Sequence, residues 1–146
     1  LDAPSLYSIG LAHKHLPEMQ KLAGLDSAPV FVPILGDIRQ GMMTSVMLQN
    51  KLLSGTPTAQ DICEMLSSYY EGQEMVRVLP FGGETPRLAT SALAGKDYLT
   101  ITVSGHTDQT LLTSQFDNLG KGASGAAVQN MNIMLGFPES TGLNID

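Results

Sequence analysis

Two histidines and a glutamate near the N-terminus have side chains and a spacing that suit proton transfer. His13, His15 and Glu18 lie in the run His-Lys-His-Leu-Pro-Glu. If His15 begins a helix, its side chain shares a face with Glu18, three residues on, and the two can form an imidazole–carboxylate pair. Spacing alone favours the plainer interpretation, partly exposed residues at a strand–helix turn. No Cys or carboxylate cluster nearby completes a metal site, so we predict none.

A glycine-rich stretch that leads into a helix is the second candidate. Residues 117–136 have the sequence DNLGKGASGAAVQNMNIMLG. Each glycine weakens the first helical turns by about 0.5 to 1 kcal/mol relative to alanine, so something must lie close to this backbone. A helix N-terminus offers unpaired N–H groups, and Lys121 adds a positive charge. The predicted neighbour is an anion or a polarised carbonyl; the alternative is a plain glycine-rich cap.

The single cysteine, Cys63, lies beside the apolar stripe of a predicted amphipathic helix formed by Ile62, Met65, Leu66 and Tyr69. No histidine neighbours it in sequence and no glycine loop activates it. We therefore predict an inert packing thiol rather than a nucleophile.

Three helices are predicted to position these residues. The first spans Leu16 to Gly24, with proline in its first turn. The second begins at the N-cap Thr58, where Asp61 completes a capping box. The third runs from Lys121 to Leu135, where Ala127, Met131 and Met134 share one face, and Gly136 ends it.

Strands are predicted from apolar alternation and β-branched residues. The predicted strands are Ser5–Ala12, Pro29–Leu35, Met42–Leu53, Met75–Leu79, Ala89–Leu93 (weak), Asp97–Ser104 and Gln109–Phe116. The last two form a hairpin through residues 105–108, and Pro80–Pro86 forms a loop. The mixture of hairpins and helices predicts an α+β fold with a mixed, mainly antiparallel sheet and helices on one face.

Composition limits the class of partner. The chain has 146 residues, a net charge of −6 and no apolar run long enough to span a membrane. An acidic surface disfavours nucleic acid and anionic membranes, so we predict neither as a partner and a cytoplasmic location. The sequence begins Leu-Asp-Ala without methionine, so the protein is expected to be processed or part of a longer chain.

The segment 117–136 resembles the C-terminal motif of the N-acetyl-gamma-glutamyl-phosphate reductases, and residues 13–18 match that family's H-x-H-x-P-E segment. The resemblance covers nearly the whole chain. It implies the C-terminal domain of the glyceraldehyde-3-phosphate-dehydrogenase-like architecture. Residues 1–116 would form the catalytic and dimerisation domain, and 117–146 a loop and helix that pack towards an absent NADP-binding domain.

Residue roles follow from the same resemblance. It implies that His15 is the acid/base and is oriented by Glu18, with His13 in a supporting, substrate-binding role, although the two histidines could be exchanged. Arg39 and Gln40 are assigned to substrate binding. The family usually carries arginine immediately before the glycine that corresponds to Gly41, where this chain has Gln40. A solvated turn arginine therefore remains the alternative for Arg39. The implied cofactor-binding residues are Asn118, Lys121 and Gly122.

The implied activity is NADPH-dependent reduction of an acyl phosphate to a semialdehyde in arginine biosynthesis, within a homodimer or homotetramer. The catalytic cysteine and the dinucleotide-binding half are expected to precede Leu1, so the 146 residues alone should be inactive. The isolated chain should self-associate, and Phe137–Asp146 should be poorly ordered unless a partner holds it. Two alternatives stay open: a non-catalytic dimerisation module, and the equivalent domain of a related enzyme such as an aspartate-semialdehyde dehydrogenase.

Overall fold

The fold consists of two compact units. The computed structural model describes residues 3–83 and 87–146. Leu1–Arg39 form the first unit and Gln40–Asp146 the second.

The first unit contains one short helix and a minimal two-stranded ladder. Strand β1 (Ser5–Leu6) pairs antiparallel with β2 (Ile34–Leu35), and α1 spans Leu16–Leu22. The helix is confirmed, with its proline in the first turn. The longer predicted strands, Ser5–Ala12 and Pro29–Leu35, are wrong. In the first, Ser8 and Leu11 take positive φ angles of 53°, which no extended strand contains; in the second, Pro33 has no N–H to donate to a ladder.

A four-stranded mixed sheet organises the second unit. Its strands are β3 (Met42–Gln49), β4 (Val76–Val78), β5 (Leu99–Gly105) and β6 (Gln109–Phe116), in the order β3-β6-β5-β4. β6 pairs antiparallel with both neighbours, and β4 pairs parallel with β5. The predicted α+β class, the mixed sheet and the β5–β6 hairpin are confirmed.

Helix α2 (Ala59–Tyr69) covers one face of this sheet. Its start is the predicted capping box: the Asp61 backbone N–H donates to Thr58 Oγ1 at 3.2 Å, and the Thr58 N–H donates to Asp61 Oδ2 at 2.8 Å. Ala59, Ile62 and Cys63 are buried against Val103 of β5. This cluster is the core of the unit, and it excludes water from one face of the sheet.

The opposite sheet face carries exposed methionines. Side chains alternate along a strand, so Met43 and Met47 of β3 point away from the face that contributes Leu48 to the core. Met47 is 83% exposed, and it pairs across the ladder with Leu111, which is also exposed. We call Met43, Met47 and Leu111 the open-face cluster.

Two predicted features of the second unit need correction. The weak strand Ala89–Leu93 is wrong: the chain forms turns there, with backbone hydrogen bonds from Ala92 to Ala89 and from Ala94 to Ser91. β3 ends at Gln49, before the predicted Leu53, because Asn50–Leu52 turn into a 3₁₀ helix. The predicted loop Pro80–Pro86 includes residues 84–86, which lie outside the described residues.

The C-terminal helix begins with an unusual turn. Gly120–Ser124 form a single π-helical turn, and α3 (Gly125–Leu135) follows it. The predicted end is confirmed, since Gly136 takes the left-handed conformation at φ 77°. Met131 and Met134 of the predicted stripe are exposed, the latter by 85%.

The segment after α3 is held by its own unit. The side-chain amide of Asn132 donates to the carbonyl oxygens of Glu139 and Thr141, at 3.1 and 2.9 Å. The Asp97 N–H donates to the Asn144 carbonyl at 2.8 Å, and Arg77 Nη2 donates to the Ile145 carbonyl. These bonds argue against the prediction that this segment lacks order without a partner, which stays a prediction.

Candidate functional site

The first unit brings His15 and Glu18 together at the start of α1. His15 is the N-cap residue, and its Nδ1 lies 3.5 Å from Glu18 Oε2. Both side chains are more than half exposed. The contact is longer than a normal hydrogen bond, and an exposed pair of this kind contributes little to stability. The arrangement leaves the imidazole open to a substrate, as an acid/base requires.

His13 has a more enclosed position. Its Nδ1 accepts a hydrogen bond from the His15 backbone N–H at 3.2 Å. Its ring lies edge-on to Tyr7 and Phe31, with centroids 5.7 and 5.1 Å away. A histidine packed between aromatic rings, with one nitrogen already engaged, is less free to exchange protons with a bound molecule than its exposed neighbour.

In the second unit, a buried carboxylate joins several loops. Asp117, directly after β6, is 1% exposed. Its Oδ2 accepts hydrogen bonds at 2.6 Å from Gln40 Nε2 and from the Gly95 N–H, and its Oδ1 accepts one at 2.8 Å from the Leu119 N–H. Burial acts to raise the pKa of Asp117, but these bonds and one from the Gly120 N–H outweigh it and lower that pKa.

A second link lies beside the first. The Gly41 backbone N–H donates to Asn118 Oδ1 at 2.8 Å. Gly41 has a φ of 119°, and a Cβ there would meet the Thr90 carbonyl and lie 2.8 Å from Ser91 Cα. Only glycine allows this approach. Gln40–Gly41 and Asp117–Asn118 are therefore joined by two adjacent hydrogen bonds.

The glycines of the π turn pack against the chain itself. A Cβ on Gly120 would lie 2.9 Å from Asp97 Oδ1, and one on Gly125 would meet the same oxygen. A Cβ on Gly122 would lie 3.1 Å from the Phe116 ring. The neighbour predicted from the sequence is thus present as an anion, the Asp97 carboxylate, together with the Lys96 carbonyl. No external ligand is needed to explain Gly120 and Gly125, which both face Asp97.

Lys121 points its charge at its own helix. Its Nζ donates to the side chain of Gln129, whose Nε2 donates to Glu139 Oε2 at 2.8 Å. Burial lowers the pKa of Lys121, while Glu139 and Asp97 act to raise it. Its Nζ is therefore already engaged by a hydrogen bond within the unit.

The remaining candidates lie apart from these clusters. Arg39 is exposed at the end of the first unit. Cys63 is 3% exposed and its Sγ lies 3.5 Å from the Leu79 carbonyl oxygen. The prediction of a packing thiol is confirmed. Within residues 3–83 and 87–146, no three His, Cys, Asp or Glu side chains cluster to hold a metal.

Comparison with known proteins decides the family. Residues 2–118 match the sequence profile described as "Semialdehyde dehydrogenase, dimerisation domain". The chain belongs to this family. The sheet of the second unit and the motif of residues 13–18 lie within the matched segment, and the glycine-rich motif begins at its end.

Three similar proteins are named as N-acetyl-gamma-glutamyl-phosphate reductases. The chain is 41% identical over 145 residues to N-acetyl-gamma-glutamyl-phosphate reductase 2 of Nostoc sp., covering 94% of this chain and 45% of the relative. It is 44% identical to N-acetyl-gamma-glutamyl-phosphate reductase 2 of Pseudomonas putida, covering 96% and 46%. It is 45% identical to the reductase of Brucella ovis over 135 residues, covering 90% and 44%. The chain spans about half the length of these relatives, and the resemblance inferred from the motifs is confirmed.

Sequence reasoning missed Asp117, which is among the most buried polar residues of the described chain. In the sequence it is only the first residue of the glycine-rich motif. Its bond to the Leu119 N–H, two residues on, is an Asx turn, which the sequence Asp-Asn at a strand end favours. Its bond to Gln40 spans 77 residues and has no local signal.

None of the helices in the described part of this chain is long and apolar enough to cross a membrane.

Proposed function

We propose that this chain is the catalytic and dimerisation part of an NADPH-dependent reductase that converts N-acetyl-glutamyl phosphate to N-acetyl-glutamate semialdehyde and phosphate. The observation that carries the proposal is the 41–45% identity, over at least 90% of the chain, to proteins of that name. The exposed His15–Glu18 pair and the Asn118 turn supply groups that such a reaction needs. A cytoplasmic location and a place in arginine biosynthesis belong to the same proposal.

The nucleophile would come from residues outside these 146. A cysteine thiolate attacks the acyl carbon, a thioester forms and phosphate leaves. Cys63 is unsuited to this step because it is buried in the core, on the side of α2 that packs against the sheet. In the reductive step, the thioester carbon gains a hydride and its oxygen gains a proton; the oxygen then returns that proton to the base as the C–S bond breaks, which releases aldehyde and thiolate.

His15 is the proposed proton donor and acceptor in this cycle. The tetrahedral species carry negative charge on oxygen, and an imidazole within reach can protonate it. Glu18, whose Oε2 lies 3.5 Å from His15 Nδ1, would orient the ring. His13, held by Tyr7 and Phe31, would support the loop and contact substrate. Arg39, exposed and permanently charged, and Gln40 are the proposed substrate-binding partners.

The Asn118 turn fits one end of a nicotinamide cofactor, NADP, which would supply the hydride. Asn118 is half-buried, and its amide nitrogen has no hydrogen-bond partner among residues 3–83 and 87–146. Gly122 is an exposed glycine of the π turn, but its support is weaker because an added Cβ would already meet the Phe116 ring at 3.1 Å. Lys121 has weaker support in this role because its Nζ is engaged with Gln129.

Homo-oligomerisation is the second part of the proposal. The open-face cluster places three apolar side chains on a sheet face that none of the described helices of its unit covers. Apolar area of this kind favours burial at about 25 cal/mol per Å², and a second copy of the same face would bury it symmetrically. A dimer or a tetramer would follow.

The reverse reaction tests the activity. The full-length protein that contains this chain is mixed with N-acetyl-glutamate semialdehyde, phosphate and NADP, and NADPH formation is followed by absorbance. We expect formation that depends on phosphate. Aspartate semialdehyde is the matched competitor: a preference for it would favour the related dehydrogenase. No turnover of either substrate would favour a non-catalytic dimerisation module.

A further inference from the structure

Asp117 is a buried charge to which the proposed reaction gives no role. Its carboxylate accepts hydrogen bonds from Gln40 Nε2 and from the backbone of Gly95, Leu119 and Gly120. No cation is recorded in contact with it among the described residues. A carboxylate that is 1% exposed costs free energy to bury, and four donors are the compensation.

The donors come from three separate parts of the second unit. Gln40 precedes β3, Gly95 precedes β5, and Leu119 and Gly120 follow β6. One side chain therefore fixes where these three segments meet. Hydrogen bonds to a charged acceptor are stronger than those between neutral groups, so this meeting point is held firmly.

The same meeting point sets the orientation of the neighbouring amide. Gly41, next to Gln40, donates its backbone N–H to Asn118 Oδ1, next to Asp117. A backbone N–H can only donate, so the atom that faces it must be the amide oxygen. The group left over is the NH₂, which is a donor. If Gln40–Gly41 moved away, the amide could rotate and present either end.

We propose that Asp117 is a positioning residue that holds Gln40–Gly41 against Asn118 and so presents the Asn118 amide as a fixed donor to an acceptor oxygen of the bound nicotinamide cofactor. This inference rests on the proposed function. A positioning role for Asp117 differs from a merely structural one, because a structural aspartate would affect stability without acting through Asn118.

The experiment is a double-mutant cycle in the full-length protein, with NADPH as the probe. Asp117→Asn, Asn118→Ala and the double variant are compared with wild type for the NADPH dissociation constant and the thermal unfolding midpoint. Loss of one neutral hydrogen bond predicts a rise of about 3- to 10-fold in the dissociation constant for Asn118→Ala. Asp117→Asn should give a similar rise in the wild-type background and almost none in the Asn118→Ala background.

Asn132→Ala is the matched control. Asn132 is also a buried polar residue with two hydrogen bonds, but to the segment after α3. It should lower the unfolding midpoint and leave NADPH affinity unchanged. If Asp117→Asn does not fold, Gln40→Ala takes its place in the cycle, since it removes one donor and leaves the backbone donors.

Each outcome decides the proposal. Additive losses in a wild type that binds NADPH would overturn the positioning role and leave the proposed function intact. A reduced affinity in the Asn132→Ala control equal to that of Asp117→Asn would also overturn it, because general destabilisation would then explain both. A wild type that binds no nicotinamide cofactor and turns over no substrate would overturn the proposed function, and this inference with it.

Discussion

At the residue scale, the two histidines of the first unit differ in what surrounds their rings. His15 is more than half exposed and lies beside Glu18, whereas His13 lies between Tyr7 and Phe31 and accepts a hydrogen bond from the backbone. Proton exchange with substrate needs access, and packing needs enclosure. The surroundings therefore support the assignment of acid/base chemistry to His15.

Replacing His15 by alanine in the full-length protein should lower turnover by about 10²- to 10⁴-fold, because the oxyanion would lose its proton donor. Steady-state kinetics of the reverse reaction measure it. His106→Ala, in the exposed β5–β6 hairpin, is the control and should keep wild-type turnover. If His13→Ala is severe and His15→Ala nearly silent, the two roles are exchanged.

Asp117 should make stability depend on acid pH. Its pKa in the folded chain is lowered from the ordinary value of 3.8, so the unfolded state binds the proton more readily. The stabilisation is complete well above pH 3.8 and is lost as pH falls through the lower, folded-state pKa. Denaturant unfolding is measured between about pH 6 and pH 3, the range in which carboxylates titrate. Over this range the free energy of unfolding should fall less for Asp117→Asn than for wild type. Asp37→Asn, at an exposed turn, should follow wild type; equal slopes for all three would contradict the assignment.

At the element scale, the parts that local chemistry specifies were predictable. Thr58 and Asp61 are three residues apart, and a capping box needs nothing else, so the start of α2 could be predicted to the residue. The regular alternation of β5 and the glycine that ends α3 are local signals of the same kind. Helix α2, strand β5 and helix α3 all lie in the second unit.

The remainder depends on contacts that are distant in sequence. Ala89–Leu93 has strand-like composition, yet the Ala89 carbonyl accepts from the Gln115 side chain instead of from a ladder partner. The site shows the same limit: the His15–Glu18 pair follows from spacing, whereas the contact between Gln40 and Asp117 joins residues 77 positions apart. No window of sequence contains both.

The capping box gives an element-scale prediction. Thr58→Ala removes the acceptor for the Asp61 N–H and should lower the free energy of unfolding by about 1 kcal/mol. Ser67→Ala is the matched control, because Ser67 is exposed on the same helix, where alanine is the better helix former. Denaturant titration measures both variants. A Thr58→Ala variant as stable as Ser67→Ala would show that the cap is dispensable.

At the scale of the whole molecule, the 146 residues supply a sheet, an exposed histidine–carboxylate pair and a turn, and their one thiol is buried. We expect the isolated chain neither to bind NADPH tightly nor to turn over substrate, because Cys63 is buried and no dinucleotide-binding glycine pattern is present. Calorimetry with NADPH measures the binding. A tight and specific complex of the isolated chain would contradict this expectation.

The open-face cluster should make the chain self-associate. Met47→Lys places a charge where Met47 is 83% exposed, and it should shift sedimentation at micromolar concentration towards the monomer. Met65→Lys, on the exposed side of α2 at 59% exposure, is the matched control and should sediment as wild type does. A wild type that remains monomeric, or equal shifts in both variants, would exclude this face as the interface.

The π turn at Gly120–Ser124 makes the last helix sensitive to the deletion of a single residue. Such a turn holds one residue more than an α-helical stretch of the same rise, so it amounts to an insertion. Deleting one of its residues would let the helix run as a regular α-helix and would rotate every later residue by about 100°. Asn132 would then turn away from the carbonyls of Glu139 and Thr141, and an apolar neighbour would take its place. The number of residues between Asp117 and Asn132 therefore sets which face of the last helix Asn132 occupies. A single deletion between them should lower the unfolding midpoint more than Gly122→Ala does at an exposed position of the same turn.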